Sequence, residues 1–169
     1  MILYHVDRTN SFKEGQEVTL TKDFPGYLNS FRSTILKLYP DGLSNHGLRY
    51  STYPFNSNYP IETAFELNRK LYFPDKISRF QSFFCFQTLA EAKNFAKNYP
   101  DETSDYKIYE VEVDHDNYFI GDMSLVRSST VITSYIDSHD YWSGNKSCHP
   151  IFEVLVKPPL KIHRMVYSE

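Results

Sequence analysis

The fold is decided by residues 78–99, SRFQSFFCFQTLAEAKNFAKNY, because this stretch changes from strand periodicity to helix periodicity. Its first half alternates between two largely apolar sides, one of which carries Phe80, Ser82, Phe84 and Phe86. This pattern predicts a buried strand with a polar serine inside it. The sequence TLAE that follows, from Thr88 to Glu91, matches a capping box. A short helix is therefore expected to begin there and to end before Pro100.

The rest of the chain adds periodic segments of both kinds. Helices are expected near 27–38, 61–72 and 88–98, and strands over 2–6, 107–113, 151–156 and 160–166. Residues 125–142 have a helix-like pattern rich in β-branched side chains, whereas residues 43–60 have no period and are expected to form a long loop. A length of 169 residues suits one domain. We therefore predict a single α+β domain over residues 1–169.

Composition narrows the classes of function. Aromatic residues make up 17% of the chain, with 14 Tyr and 13 Phe, which is enough to fill a core and to line a groove. The net charge of −3 argues against binding nucleic acid through a broad basic face, although it leaves a small basic patch open. Cys85 and Cys148 lack partners at metal-ligand spacing, so neither a metal site nor a disulfide framework is indicated. The N-terminal MILYHVDR resembles neither a signal peptide nor a membrane span, and we expect a cytoplasmic protein without a membrane partner.

One carboxylate is not explained by the strand that carries it. Glu153 lies in IFEVLV, residues 151–156, where both faces of the strand are otherwise apolar. Burying that charge without a partner would be strongly unfavourable, so Glu153 needs a cleft to face, an altered pKa or a partner such as an arginine. By contrast, Glu110 and Glu112 share the polar face of KIYEVEV, residues 107–113, and are expected to lie in water.

Two further polar residues occupy apolar strands. His5 lies in the first strand, residues 2–6, and Ser82 lies in the strand that opens residues 78–99. Each of them can be either a hydrogen-bonded polar group of the core or part of a site. Together with Glu153 they provide three polar side chains on three separate strands, in a fixed order along the chain.

This order resembles that of the ADP-ribosyltransferase fold family. In that family a first strand of the type LYR or LYH holds NAD, a second strand carries Ser, Thr or Tyr beside aromatic residues, and a late strand supplies a catalytic Glu. The matching parts here are Leu3-Tyr4-His5, the strand with Ser82 and the strand with Glu153. The chain is also similar to small bacterial toxin-like members with YHV, SRF, SxF and YW in this order. The resemblance spans essentially the whole chain and implies a split, mainly antiparallel β core with flanking helices.

The resemblance implies roles for individual residues. Glu153 would be the catalytic carboxylate that bonds the 2′-hydroxyl of the nicotinamide ribose, and Ser82 would buttress it. His5 would bond the ribose on the adenosine side and hold the pocket. Val6 would offer backbone groups to the nicotinamide amide, at a position where many relatives have Gly. Ile151 replaces the Glu or Gln that often accompanies modification of protein arginines, which makes arginine a less attractive acceptor.

The same resemblance assigns contacts with the rest of NAD. Phe83 or Phe84 would stack on the nicotinamide, and the sequence leaves the choice between them open. Arg8 and Arg79 would pair with the pyrophosphate. The residues expected to converge on one NAD cleft are His5, Ser82 and Glu153.

The function that the resemblance predicts is an NAD-dependent ADP-ribosyltransferase, a glycosyltransferase acting as a toxin or a phage-defence effector. Its expected partners are NAD as co-substrate, a macromolecular acceptor that is nucleic acid or protein, and an antitoxin protein. Two alternatives stay open. One is a non-catalytic nucleotide-binding or partner-binding module that retains the fold. The other is an enzyme like the RNA 2′-phosphotransferases, which is disfavoured because no row of basic residues suits a 2′-phosphate.

Overall fold

Antiparallel sheets and helices together form the fold. The structure is a computed structural model that describes residues 1–52, 59–98, 105–113, 117–127 and 130–168. All strand pairings in these ranges are antiparallel. This confirms the predicted α+β class.

The described residues contain the following elements. The strands are β1 (Ile2–Asp7), β2 (Glu17–Val18), β3 (Phe83–Cys85), β4 (Lys107–Glu112), β5 (Tyr118–Asp122), β6 (Phe152–Val156) and β7 (Leu160–Ser168). The α-helices are α1 (Arg32–Leu38), α2 (Asn45–Thr52), α3 (Tyr59–Tyr72), α4 (Leu89–Asn98) and α5 (Val131–Ser143). Short 3-10 helices cover Gly26–Phe31, Arg79–Gln81 and Met123–Leu125. None of the helices in these ranges is long and apolar enough to cross a membrane.

The strands form two sheets, and one backbone bridge joins them in the described residues. The larger sheet has the order β1-β4-β7-β2, and the smaller sheet has the order β3-β6-β5. Tyr4 of β1 and Phe86, next to β3, join the two sheets by exchanging backbone hydrogen bonds of 2.9 and 2.8 Å. Because this bridge is an isolated pair, backbone pairing between β1 and the segment of β3 does not continue beyond it.

Strand β6 buries both of its faces. On one side Val154 and Val156 pack into a core with residues of the larger sheet, among them Leu3, Val111 and Ile162. On the other side Leu155 packs against α3 and α5, where its neighbours include Phe65, Tyr141 and Trp142. Since side chains alternate along a strand, Glu153 shares the face of Leu155 and points towards these helices.

The segment that opens residues 78–99 is not one continuous strand. Residues 79–81 form a 3-10 helix, and the strand is limited to Phe83–Cys85. Ser78 begins the turn, because its hydroxyl accepts the backbone N–H of Phe80 at 3.1 Å and its carbonyl accepts that of Gln81 at 2.9 Å. Ser82 follows this turn, so the prediction of Ser82 inside a strand is wrong. The alternation of apolar residues indicated burial. It did not reveal that Ser78 caps a turn that bends the backbone.

A helix occupies part of the segment predicted as a long loop. The hydroxyl of Ser44 caps α2 by accepting the N–H of Gly47 at 3.2 Å. Gly47 also lies against the backbone of Phe80, where an added Cβ would be 2.3 Å from the carbonyl oxygen. The loop prediction is therefore wrong for residues 45–52, because a close tertiary contact that requires glycine holds α2 in place. Residues 53–58 lie outside the described residues.

The other predicted helices are present with shifted bounds. The capping box is confirmed at the start of α4, since the Thr88 N–H donates to the Glu91 carboxylate at 2.9 Å and the Glu91 N–H donates to the Thr88 hydroxyl at 3.2 Å. The helix expected over 61–72 is α3, which begins two residues earlier. The segment 27–38 is divided into a 3-10 helix and α1. The helix-like pattern of 125–142 corresponds mainly to α5.

Glu110 and Glu112 have different surroundings. Glu112 is exposed, as expected. Glu110 is largely covered, because Arg164 of β7 donates to its two carboxylate oxygens at 2.7 and 3.1 Å. These hydrogen bonds also lower the pKa of Glu110. The prediction that both carboxylates lie in water is therefore wrong for Glu110, since the neighbouring strand places a long arginine beside it.

Replacing Leu155 tests the packing around β6. The side chain of Leu155 is fully buried, so Leu155→Ala should lower the free energy of unfolding by about 2–5 kcal/mol. Ile132→Ala is the matched control, since Ile132 is 69% exposed on α5, and it should change stability by less than about 0.5 kcal/mol. Urea unfolding followed by the fluorescence of Trp142 measures both variants. Equal losses for the two variants would contradict the described core.

Candidate functional site

A buried group of four side chains, called here the Arg79 cluster, lies on the helix side of β6. It consists of Arg79, Glu62, Glu153 and Tyr141. The Nε and Nη2 atoms of Arg79 donate to the two carboxylate oxygens of Glu62, both at 3.0 Å. Its Nη1 atom donates to the carboxylate of Glu153 and, at 2.9 Å, to the hydroxyl of Tyr141. The cluster thus connects the 3-10 turn that precedes β3 with α3, α5 and β6.

Glu153 is fixed by two donors within this cluster. The hydroxyl of Tyr141 donates to Oε1 of Glu153 at 2.8 Å, and Arg79 donates to the same oxygen. The residue is only 5% exposed. The sequence left a cleft, an altered pKa or an arginine partner open for this carboxylate, and the structure supplies the arginine. Because Glu62 and Glu153 bring two negative charges and Arg79 brings one positive charge, the cluster has one excess negative charge.

The electrostatics of the cluster favour its charged form. Burial opposes ionisation of Glu62, but Arg79 and His46 outweigh burial and hold the pKa of Glu62 far below its ordinary value. Burial also opposes the charge on Arg79, yet Glu153 and Glu62 raise its pKa above the usual range. Burial, followed by the charge of Glu153, raises the pKa of Tyr141. The Tyr141 hydroxyl therefore stays protonated and remains a donor to Glu153.

Two adjoining clefts lie beside the cluster. The first cleft has a volume of about 400 Å³ and includes Glu62, Arg79 and Glu153 in its lining. The second cleft has a volume of about 520 Å³ and does not include these three residues. The residues that line both clefts include His5, Val6, Arg8, His46, Arg49 and Phe84. The structure therefore brings His5 and Glu153, which belong to different sheets, to one cleft.

His5 crosses the gap between the two sheets. Its Nδ1 atom lies 2.8 Å from the backbone carbonyl of Phe84, and its ring centre lies 4.1 Å from that of Phe83. Burial lowers the pKa of His5 and outweighs the opposing effects of the Phe84 carbonyl and Asp7. A neutral ring that donates through Nδ1 to this carbonyl has its free lone pair on Nε2. His5 can therefore accept a hydrogen bond from a hydroxyl group in the cleft.

Val6 directs its backbone towards the gap between the sheets. Alternate residues of a strand point their N–H and C=O groups to the same edge. Tyr4 uses these groups for the bridge to Phe86, so Val6, two residues further on, presents its own groups to the same edge beyond the bridge. Val6 lines both clefts. The strand edge can thus offer one donor and one acceptor to an amide group.

The two candidate phenylalanines have different surroundings. Phe84 lines the first cleft, and its ring centre is 4.5 Å from the ring of His46 and 5.0 Å from the guanidinium carbon of Arg79. Phe83 is buried in the core against His5 and lines the second cleft. Phe84 is therefore the ring that shares a cleft with Glu153.

The two candidate arginines also differ. Arg8 lines both clefts, with its guanidinium carbon 4.6 Å from the ring centre of Phe95. Arg79 is buried between Glu62 and Glu153. This position disagrees with the predicted pyrophosphate contact of Arg79, because a guanidinium that is already neutralised by two carboxylates attracts a further anion only weakly. The pyrophosphate contact of Arg8 stays a prediction.

Ser82 does not have the predicted role of buttress. Its hydroxyl donates to the carbonyl of Ser78 at 2.7 Å, and the residue lines the second cleft. Among the described residues, the hydrogen bonds to Glu153 come from Arg79 and Tyr141. The prediction that Ser82 supports Glu153 is therefore wrong, since the 3-10 turn directs the serine back to its own backbone. Tyr141 supports Glu153 instead.

Three residues of the site were missed in the sequence: His46, Glu62 and Tyr141. Glu62 and Glu66 stand four residues apart in the sequence, but only the structure shows that both are buried on α3. Tyr141 stands next to the only tryptophan, in a helix-like segment. The sequence did not indicate a site role for His46, since His46 lies in a segment without periodicity.

The family of the chain follows from a match over nearly its whole length. Residues 3–168 match the model of the family described as "Protein of unknown function (DUF2441)". The chain belongs to this family. Among curated proteins, none matches the chain. The description of the family gives no activity, so the function is inferred from the cleft.

Removing the guanidinium tests the Arg79 cluster. Arg79→Met leaves Glu62 and Glu153 buried without their counter-ion, so we expect the free energy of unfolding to fall by about 3–5 kcal/mol. Arg164→Met is the matched control, because Arg164 also binds a carboxylate through two nitrogens but is 63% exposed. Its loss should be much smaller. Urea unfolding at neutral pH measures both, and a larger loss for Arg164→Met would contradict the central position of Arg79.

A pH series on Glu62→Gln tests whether ionised Glu62 stabilises the folded protein. The pKa of Glu62 in the folded protein lies below its ordinary value of 4.5, so ionised Glu62 contributes its full stability above that pH. The contribution is lost as the pH falls towards the folded-state pKa. The difference in stability between the natural protein and Glu62→Gln should therefore be largest near neutral pH and should shrink below about pH 4.5. Urea unfolding at several pH values measures it, and a constant difference would contradict the assignment.

Proposed function

We propose that the protein is an NAD-dependent ADP-ribosyltransferase with an ADP-ribosyltransferase-like split β core. The observation that carries the proposal is the first cleft, which is lined by His5 of β1 and Glu153 of β6. These residues come from the first strand and from a late strand, and they meet where two antiparallel sheets separate. This is the arrangement that the resemblance implies.

The chemistry of the two clefts suits the parts of NAD. Their volumes, about 400 and 520 Å³, are in the range of sites for small molecules and cofactors. Phe84 offers an aromatic ring for the nicotinamide, and the strand edge at Val6 offers a donor and an acceptor for the nicotinamide amide. Arg8 offers a positive charge for the pyrophosphate. The Nε2 lone pair of His5 suits a ribose hydroxyl.

The role proposed for Glu153 is electrostatic. Transfer of ADP-ribose breaks the bond between nicotinamide and ribose, and positive charge builds on the sugar as that bond lengthens. The Glu153 carboxylate would stabilise this charge and bond the 2′-hydroxyl of the same sugar. Tyr141 and Arg79 already fix its position, so little reorganisation is needed. A single preorganised group of this kind contributes about 3–4 kcal/mol in other enzymes.

The acceptor in this proposal is a macromolecule, either nucleic acid or protein, and the cellular role is that of a toxin or phage-defence effector with an antitoxin partner. The absence of Glu or Gln at Ile151 argues against protein arginine. Incubation with labelled NAD and a cell lysate, followed by separate protease and nuclease digestion, identifies the acceptor class. Label that survives protease and is released by nuclease indicates nucleic acid, and the converse indicates protein.

Glu153→Gln is the direct test of the activity. The substitution keeps the shape of the side chain and removes its charge, so NAD binding should persist while transfer falls by about a hundredfold or more. Transfer of labelled ADP-ribose measures the rate, and a thermal melt with and without NAD measures folding and binding. If the protein is a toxin, the same substitution should relieve growth arrest on expression.

The matched control for this test is Glu112→Gln. Glu112 is exposed on β4 and lines neither cleft, so its substitution should leave transfer unchanged. If Glu112 proved essential for transfer and Glu153 dispensable, the active site would lie outside the first cleft and the proposal would be wrong.

A second candidate function, a non-catalytic nucleotide-binding module, is favoured by one observation. The carboxylate of Glu153 is 5% exposed and is already engaged by Arg79 and Tyr141. Such a module would bind NAD without consuming it. A melting temperature that rises with NAD concentration in the natural protein and less in His5→Ala, without any release of nicotinamide, would select this function.

A further inference from the structure

His46 enters both clefts from α2 and lies beside the Arg79 cluster. Its Nε2 atom is 3.2 Å from Oε1 of Glu62, close enough for an ion pair although the geometry is not that of a hydrogen bond. Nε2 is shielded from solvent, whereas the side chain as a whole is 21% exposed. The exposed part of the side chain therefore consists of atoms other than Nε2.

The fold fixes the position of this imidazole. Ser44 caps the helix, and Gly47, one residue after His46, lies against the backbone of Phe80. The His46 ring centre is 4.5 Å from that of Phe84, which lines the cleft together with Glu153. The ring is thus held by helix capping, close packing and a carboxylate, in the cleft where the proposed transfer takes place.

We propose that His46, oriented by Glu62, is the general base that removes a proton from the acceptor during ADP-ribose transfer. This inference rests on the proposed function and adds to it the chemical class of the acceptor. The Glu62 carboxylate favours the tautomer with its N–H on Nε2, which leaves the lone pair on Nδ1, on the side of the ring away from Glu62. The same carboxylate stabilises the imidazolium that forms when Nδ1 takes a proton.

Bonds, electron pairs and protons change as follows in the proposed transfer step. A lone pair of the acceptor oxygen or nitrogen forms a bond to the anomeric carbon of the ribose. The ribose–nicotinamide bond breaks, and its electron pair leaves with the nicotinamide nitrogen, which becomes neutral. The proton of the acceptor moves to Nδ1 of His46 and is later released to water. No oxidation or reduction takes place.

A general base of this kind selects the acceptor. Hydroxyl, amide and nucleobase N–H groups must lose a proton when they form the new bond, so they gain from a neighbouring imidazole. Carboxylates and phosphates are already anionic at neutral pH and gain nothing from it. We therefore infer that the acceptor reacts through an O–H or N–H group.

The pH dependence of transfer should report this base. The charged and titratable groups that line the first cleft with His46 are His5, Arg8, Arg49, Tyr50, Glu62, Arg79, Cys85 and Glu153. A histidine acts as a base only when it is neutral, so the rate should rise with pH. If the base is His46, this rise should be absent from His46→Gln, although His5 is still present in that variant.

The experiment compares transfer rates against pH for the natural protein, His46→Gln and His139→Gln. His139 is an exposed histidine on α5 that lines neither cleft, so His139→Gln should keep the natural rate. His46→Gln should lower the rate about a hundredfold or more while the thermal shift produced by NAD is unchanged. Added imidazole should restore part of the rate to His46→Ala, because the cleft then has room for a free base.

The outcomes separate this inference from the proposed function. A His46→Gln rate within about threefold of the natural rate, or a His46→Ala rate that does not respond to imidazole, would overturn the role of His46 while Glu153→Gln still reports the activity. A natural protein that never consumes NAD would overturn both, and this is seen before any variant is compared. If His46→Gln fails to fold, the imidazole response of His46→Ala decides.

Discussion

A buried guanidinium between two carboxylates is the interaction on which the site depends. Arg79 connects Glu62 of α3, Glu153 of β6 and, through Tyr141, helix α5. Taking three charges out of water is unfavourable, and their mutual attraction offsets this only when nearly every polar atom is hydrogen-bonded. The four elements that supply these groups must therefore be placed together. The turn before β3, which Ser78 caps, is needed for this arrangement because it holds Arg79 between the two carboxylates.

The separation of the two sheets has a different cause and provides the space beside the cluster. The larger sheet has β1 at its edge, and the isolated bridge between Tyr4 and Phe86 is its backbone pairing with the segment of β3 in the described residues. Past this bridge the strand edge is turned towards a gap, which His5 crosses to reach the carbonyl of Phe84. An antiparallel core that opens in this way presents backbone groups, an imidazole and a carboxylate to one cavity.

Negative and positive charges lie in different parts of the cavity lining. The buried part has one excess negative charge, from Glu62 and Glu153 against Arg79. Arg8 and Arg49, which are less buried, line both clefts. A ligand with an anionic middle and a reacting end that becomes positive would match this distribution. The same contacts that keep Glu153 in place thus also define the field in which it would act.

The sequence by itself determined the α+β class, the helices at 61–72 and 88–98, the capping box at Thr88 and the exceptional position of Glu153. These features depend on local periodicity and capping, which neighbouring residues decide. Only the tertiary structure decided that Arg79 is the partner of Glu153, that Ser82 bonds its own turn, that Glu110 is paired, and that residues 45–52 form a helix. Alternation of apolar and polar residues indicates that a side chain is buried. It does not indicate which side chain from another element packs against it. The partners come from segments distant in the chain, and their positions follow from how the sheets and helices pack.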